Sequence, residues 1–261
     1  MNEINKTLFI PLYGKAQVSR KNIILKDQKA QEIWGSESFP IKGKAKSKWL
    51  AYYMAMRARV FDDWTDEMLR KNREALVLHI GCGLDSRCLR VREKYVHWID
   101  ADFPDVILQR RKYFNERENY HMAAVDASKT EDIAKLPDSS EVIVILEGIS
   151  MYLEESELQS LFRIIQEKYL HAHLMVDVYT EFAAKVSKYK NPVNAVGVTK
   201  LYGVDNMERI ISDTRLEVKS EPPMTPDNLI NELRGFESVF FRKVFSGKIA
   251  QKLYMLYELE C

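Results

Sequence analysis

Leu76-Val-Leu-His-Ile-Gly-Cys-Gly-Leu-Asp-Ser-Arg87 runs an apolar strand straight into a turn bracketed by glycines and then into an acid. Gly81 and Gly83 carry no side chain, so the backbone can turn tightly after the strand and let a ligand approach it closely. Asp85 and Arg87 follow at once and place charge beside that opening. Strand-ending turns of any α/β protein use glycine, so the pair alone does not name a ligand. The dinucleotide version requires a third glycine three residues after the second; Ser86 stands there, and the next glycine is Gly148. An NAD site is therefore not expected.

Working outward, short β-rich runs follow at Tyr95 to Ile99, His121 to Val125, Glu141 to Leu146 and Leu174 to Val178. Between them lie helix-like stretches. Val106 to Glu118 has apolar residues at helical spacing, and Glu155 to Lys168 repeats the pattern at Leu158, Leu161, Phe162 and Ile165. This alternation predicts an α/β fold with a parallel sheet covered by helices on both sides. The last third breaks the rhythm: Leu216 to Lys219, prolines at 222, 223 and 226, and a closing apolar run from Leu253 to Leu259 fit an antiparallel edge pair. Upstream, about seventy residues with helical character, including Gln28 to Trp34 and Lys48 to Arg70, are too many for a leader to the first strand. They are expected to form a helical cap (1–70) over the carboxyl edge of a core (71–261).

With 261 residues, 46% of them apolar, the chain can build a sizeable core. Its 39 basic and 38 acidic residues leave a formal charge of +1, which provides no global attraction to nucleic acid. Cys82, Cys88 and Cys261 form an odd, unspaced set, and neither a signal peptide nor a membrane-spanning apolar run is apparent, so a cytoplasmic protein is expected. His171 and His173 share a strand face without a third ligand nearby, and no metal is expected. Lys42, Lys44, Lys46 and Lys48 read as a solvated loop and helix start, with docking of an acidic substrate as the other use.

In a doubly wound sheet, ligands sit beyond the carboxyl ends of the strands. The second strand ends at Trp98-Ile-Asp-Ala-Asp-Phe-Pro104, where either Asp100 or Asp102 can accept both hydroxyls of a ribose, with a cap on the helix at Pro104 as the other use of Asp102 and Asp105. Asp126, after the third strand, can take the exocyclic amine of an adenine or cap the next helix. Glu147 and Gly148 end the fourth apolar strand at the same crevice, where a charged residue needs a partner or a ligand. Tyr152 lies five residues further on.

These residues resemble the leucine carboxyl methyltransferase and polyketide O-methyltransferase superfamily. The likeness rests on the glycine turn with Leu84-Asp85-Ser86-Arg87, on Asp102-Phe103-Pro104, on Glu147-Gly148 and on Met151-Tyr152-Leu153. Thr7 to Ala16, Asp27 with Ala30, and Met56-Arg-Ala-Arg-Val-Phe-Asp62 are similar to its amino-terminal signature, in the tetracenomycin-type branch. The resemblance implies a Rossmann-like seven-stranded sheet and S-adenosylmethionine as cofactor. It implies Gly81 and Gly83 beside that cofactor, Asp102 on the ribose, Asp126 near the adenine and Glu147 by the methionine part. Arg57, with Lys15 sharing the task and Arg59 as local competitor, is implied at the methionine carboxylate. Cys82 and Ser86 depart mildly from the relatives, which carry alanine-like and threonine residues there.

The acceptor side is marked more faintly. Tyr152, Tyr13 and Tyr202 are candidates to orient an acceptor, with core packing as the alternative use of each. The expected reaction is methyl transfer to a carboxylate or hydroxyl of a small molecule. Its rivals are a protein carboxyl methyltransferase, which needs an open groove for a peptide tail, and an idle cofactor-binding protein.

Overall fold

The structure, a computed structural model, describes residues 5–37, 39–41, 43–190 and 200–261. Three helices come first: α1 (Phe9–Arg20), α2 (Gln28–Ser36), whose first turn Asp27 caps through the Ala30 N–H, and the long α3 (Lys48–Lys71). The alternating part follows as β1 (Leu76–Ile80), α4 (Arg87–Arg90), β2 (His97–Asp102), α5 (Pro104–Arg110), β3 (Tyr120–Ala124), α6 (Thr130–Ala134), β4 (Glu141–Leu146), α7 (Glu155–Lys168) and β5 (His171–Tyr179). The remainder comprises α8 (Glu181–Lys190), α9 (Met207–Ile211), β6 (Glu217–Ser220), α10 (Asp227–Ile230), α11 (Phe236–Phe245), α12 (Gly247–Gln251) and β7 (Tyr254–Glu260).

The strands form one seven-stranded sheet in the order β3-β2-β1-β4-β5-β7-β6. The first five strands are parallel, and β7 runs antiparallel to both neighbours, β5 and β6. The mostly parallel sheet with an antiparallel edge matches the expectation. The order in which strands are added to the sheet reverses between β1 and β4, so the strand ends open a crevice at this switch point.

The period-two alternation of each strand sorts its residues between two cores. Leu76, Leu78 and Ile80 of β1, Val142, Val144 and Leu146 of β4, and Leu174, Val176 and Val178 of β5 face α6, α7 and α9. Val77, Trp98, Ile143, Ile145 and Met175 face the opposite way, onto Phe9, Leu12 and Ala16 of α1 and Phe61, Trp64 and Met68 of α3. The helices of 1–70 thus share a continuous core with the sheet and do not stand off from it. They also take in later chain: Leu229, Ile230, Leu233 and Phe241 pack on Val18, Tyr52 and Met56.

Close packing of α1 on α3 rests on Gly14, where a Cβ would meet the Ala51 Cα at 3.2 Å. The same alternation puts His79, Asp100 and Asp177 on the helix-covered face. There Asp177 meets Arg57 of α3, and Asp100 meets Arg110 of α5.

Candidate active site

The carboxyl ends of β1 to β4, together with α1 and α3, enclose one cavity of about 870 Å³. Its floor is the turn after β1. Gly81 (φ +72°) and Gly83 (φ +53°) both adopt the left-handed region that glycine tolerates. A Cβ on Gly81 would stand 1.9 Å from the Ile149 Cγ2, whereas one on Gly83 would meet only Leu8 at 3.4 Å. The Gly83 N–H donates to Asp102 Oδ2 at 2.7 Å, which ties the turn to the end of β2.

The two acids of β2 have separate roles. Asp102 lines the cavity, and its second oxygen accepts the Phe103 N–H at 2.7 Å. Burial raises its pKa to about 6 against the pull of those two N–H groups. Asp100 lies behind it and does not reach the cavity. It is bonded to Arg110, to the Tyr120 hydroxyl (2.7 Å) and to Trp98 Nε1 (2.8 Å). Burial pushes its carboxyl up, but Arg110 and His79 outweigh this and hold it at about 2.

Asp126 also lines the cavity. It does not cap α6, whose N-cap is Lys129; Oδ1 instead accepts from the N–H (3.1 Å) and hydroxyl (2.7 Å) of Ser128 and closes a local turn.

Arg57 of α3 projects to the switch point. Its Nε donates to Glu147 Oε1 at 3.0 Å, and its Nη1 donates to Asp177 Oδ2 at 2.8 Å and to the Tyr254 hydroxyl at 3.0 Å. Gly148 (φ +75°) lets the guanidinium approach, since a Cβ there would lie 3.1 Å from Nη2. Glu147 pairs in turn with Arg87. Burial would raise its pKa, yet Arg57, Arg87 and Lys15 bring it down to about 2.

Lys15 pairs with Asp85, and Arg90 bridges Asp85, Asp27 and Asp62, the last of which also holds Arg87 Nε at 2.7 Å. One buried ion network thus runs from Asp27 at the start of α2 to Asp177 in β5. Lys15, Arg57 and Glu147 are brought together on the cavity wall. Arg59 is not: it turns outward to Asp63 (2.9 Å) and the Ile24 carbonyl (3.3 Å).

Among the tyrosine candidates, Tyr152 lines the cavity, and burial raises its pKa above the ordinary range. Tyr13, expected near the acceptor, is not in the cavity wall; its ring packs edge-on against Trp34 at 5.0 Å because α1 turns that face toward α2. Tyr202 is also outside the wall and donates to Glu154 at 2.5 Å.

Of the lysine series, Lys44 reaches the cavity, Lys48 pairs with Glu237 at 2.7 Å, and Lys42 lies outside the described residues. Sequence reasoning missed Tyr53, Tyr179 and Tyr254, which stack edge-on around the far end of the cavity at centroid distances of 6.2 and 4.5 Å. Tyr254 falls in the closing apolar run, which reads only as an edge strand, and Tyr53 and Tyr179 lie in α3 and β5 without a local motif.

The pieces fit the cofactor that the resemblance implied. A glycine turn too crowded for a Cβ, an acid held only by backbone N–H groups at the second strand end, and a cation beside an acid at the fourth offer complementary groups to a nucleoside and an amino acid.

A sheet of this order with such a crevice is the fold of the class I S-adenosylmethionine-dependent methyltransferases. The structure superposes on a putative methyltransferase from Thermobifida fusca with a TM-score of 0.57 at 12% identity, covering 80% of this chain and 81% of that one. It also superposes on the magnesium protoporphyrin IX methyltransferase of Synechocystis PCC 6803, solved with bound SAH, with a TM-score of 0.51 at 11% identity, covering 89% and 92%. At these identities the likeness is one of fold.

The chain belongs to the leucine carboxyl methyltransferase family, whose model matches residues 6–166. It is 28% identical over 205 residues to the tetracenomycin polyketide synthesis O-methyltransferase TcmP of Streptomyces glaucescens, spanning 78% of this chain and 76% of that protein. It is 26% identical over 224 residues to the S-adenosyl-L-methionine-dependent methyltransferase dpfgK of Gibberella zeae, spanning 77% and 75%. The chain is thus an S-adenosylmethionine-dependent methyltransferase, as its motifs indicated.

Proposed function

We propose that the chain is an O-methyltransferase that methylates an oxygen of a small, largely apolar molecule. The observation that carries this reading is the far part of the cavity, where Trp49, Tyr53, Met54, Tyr179 and Phe245 form an aromatic and apolar chamber continuous with the donor end. Such a chamber suits a compact ring-bearing body better than the extended polar backbone of a peptide tail. The name of TcmP, an O-methyltransferase of polyketide synthesis, points the same way.

S-adenosylmethionine supplies a methyl group on a sulfonium, which an oxygen can take by in-line displacement. The protein's part is to hold, align and exclude water. In this reading Asp102 accepts the ribose hydroxyls, Asp126 takes the adenine amine, and Gly81 and Gly83 let the backbone approach the donor. Lys15 and Arg57 serve the methionine carboxylate, Glu147 sits by the methionine part, and Tyr152 orients the acceptor.

Residues 1–70 act as the cap over this site, helped by the α10–α11 segment packed on them. Among the described residues no helix is long and apolar enough to cross a membrane. We place the reaction in the cytoplasm, where three free thiols are stable.

Calorimetry with S-adenosylmethionine, its demethylated product and NAD tests the donor side, and mass-spectrometric screening of a small-molecule extract for gains of one methyl tests the acceptor. Donor binding without any methylated product would favour an idle protein and overturn the reading.

A further inference from the structure

Exposed apolar side chains gather around the mouth of the cavity. Among the described residues, six of the ten large apolar side chains that face water belong to α8, α11 and the turn before β7: Phe182, Val186, Phe236, Val239, Val244 and Leu253. Single exposed apolar residues need no explanation, whereas a cluster marks a contact surface. Val186, Val244 and Leu253 line the cavity and are still 49%, 38% and 43% exposed, so they stand at its opening. The others extend outward from them. Phe182 lies one turn before Val186 on the same side of α8. Phe236 reaches the wall through rings: its centroid is 5.7 Å from that of Phe240, which is 4.5 Å from that of the wall residue Trp49. An apolar path thus leads from the chamber to a ring that is 74% exposed.

The same surface is basic. Glu237 is paired with Lys48 at 2.7 Å, and Arg242 is paired with Asp227, so these charges cancel. Lys243, Lys248 and Lys252 are exposed and have no ion-pair partner among the described residues. They leave a local surplus of three positive charges in a chain whose total is +1. Lys243 follows Val239 by four residues and Phe236 by seven, so it shares their face of α11. Lys252 directly precedes Leu253. Protruding apolar groups interleaved with lysines suit the boundary of a bilayer, where the apolar groups enter the acyl region and the ammonium groups stay with anionic headgroups.

We propose that α8, α11 and the turn before β7 rest on an anionic lipid surface, so that the acceptor chamber opens into the bilayer interface and an apolar acceptor dissolved there enters directly. The contact is peripheral, with no helix crossing the bilayer. A second copy of the chain fits this face less well, because a two-fold contact would set the lysines against their own counterparts. A folded partner would seal the mouth that the patch surrounds, whereas a lipid surface covers it and keeps an apolar phase in contact with the chamber. The acceptor's route rests on the O-methyltransferase reading above; the docking does not.

Cosedimentation with vesicles tests the docking without any methyl transfer. The protein should bind vesicles of phosphatidylcholine with about one-third phosphatidylserine, bind pure phosphatidylcholine weakly, and be released as salt rises from about 0.1 M to about 0.5 M. Lys243→Gln with Lys252→Gln should lower binding about 30-fold at low salt. Phe182→Ser with Phe236→Ser should lower it about 10-fold and leave S-adenosylmethionine affinity unchanged, since neither residue lines the cavity. Absence of binding to the anionic vesicles overturns the proposal, as does equal binding by both variants. So does a dimer in analytical ultracentrifugation that Phe236→Ser dissolves, which would assign the face to a second copy.

The acceptor's route is read with methyl-labelled donor and a small-molecule extract dispersed in the same vesicles. Label should enter an organic-extractable product several-fold faster with the wild-type protein than with Phe182→Ser/Phe236→Ser. Equal rates, or label confined to water-soluble molecules, overturn this route. No label with either protein while vesicle binding persists removes the O-methyltransferase reading and leaves the docking standing.

Discussion

Asp100 and Asp102 stand two residues apart on the same face of β2, yet only Asp102 reaches the cavity, because Arg110, Tyr120 and Trp98 enclose Asp100. Their substitution should separate binding from stability. Asp102→Asn should weaken S-adenosylmethionine binding by about 1.5–3 kcal/mol, the worth of hydrogen bonds to a charged group. Asp100→Asn should cost about 3–5 kcal/mol of stability by stranding buried Arg110. Calorimetry and denaturant unfolding of both variants check this, and a pure stability loss in Asp102→Asn would remove it from the donor site.

Lowering the pH from about 7 to about 5 should move donor affinity and apo stability in opposite directions. The carboxyl of Asp102 titrates at about 6 in the folded chain against an ordinary 3.8. The folded state thus holds this proton more tightly than the unfolded one, and the stability it contributes grows as pH falls through 6 toward 3.8. Asp177, also raised, adds in the same sense. A protonated Asp102 can no longer accept two ribose hydroxyls, so affinity falls over that window. Glu147 and Asp100, held near 2, contribute stability that is lost only as pH drops below their ordinary values of 4.5 and 3.8. Melting curves and binding isotherms across the window are the measurements.

The two glycines of the turn should respond unequally to alanine. Gly81→Ala places a Cβ into Ile149 on a backbone with φ +72°, and roughly 2–4 kcal/mol of destabilisation is expected from strain and overpacking together. Gly83→Ala meets ordinary contact at 3.4 Å, leaving only the backbone term of about 1 kcal/mol. Equal losses in chemical denaturation would contradict the crowding at Gly81.

Arg57→Ala should lower donor affinity and stability together. The guanidinium is the partner of both Glu147 and Asp177, and its removal leaves two buried carboxylates facing one another, at a cost of about 3–5 kcal/mol. A double variant, Arg57→Ala with Asp177→Asn, should regain part of the stability without regaining donor binding.

Much of this was legible where the signal is local. Helix α7 falls on residues 155–168 as its apolar spacing predicts, helped by the capping box of Glu154 and Glu157. The second strand was placed at Tyr95 to Ile99 but spans His97–Asp102, since two acids in a strand read as its end until Arg110 is known to neutralise one of them. The helix expected to reach Glu118 stops at Arg110, whose side chain turns inward to Asp100.

Helix α1 was not singled out within the helical stretch of residues 1–70: Pro11 and Gly14 argue against a helix locally, and only the approach of Ala51 explains the glycine. In the site, the strand-end acids and Arg57 could be named from motif order. Asp177 and Tyr254 could not, because they meet Arg57 from 120 and 197 residues away in the chain.

The interior position of β7 has a consequence for how the protein is made. Residues 254–260 insert between β5 and β6, so a chain emerging from the ribosome exposes the hydrogen-bonding edge of β5 until β7 appears. Tyr254 arrives with that strand. The edge of β5 therefore stays adhesive until β7 pairs with it, and that one step brings in both the β5 and β6 pairings and a residue of the cavity wall.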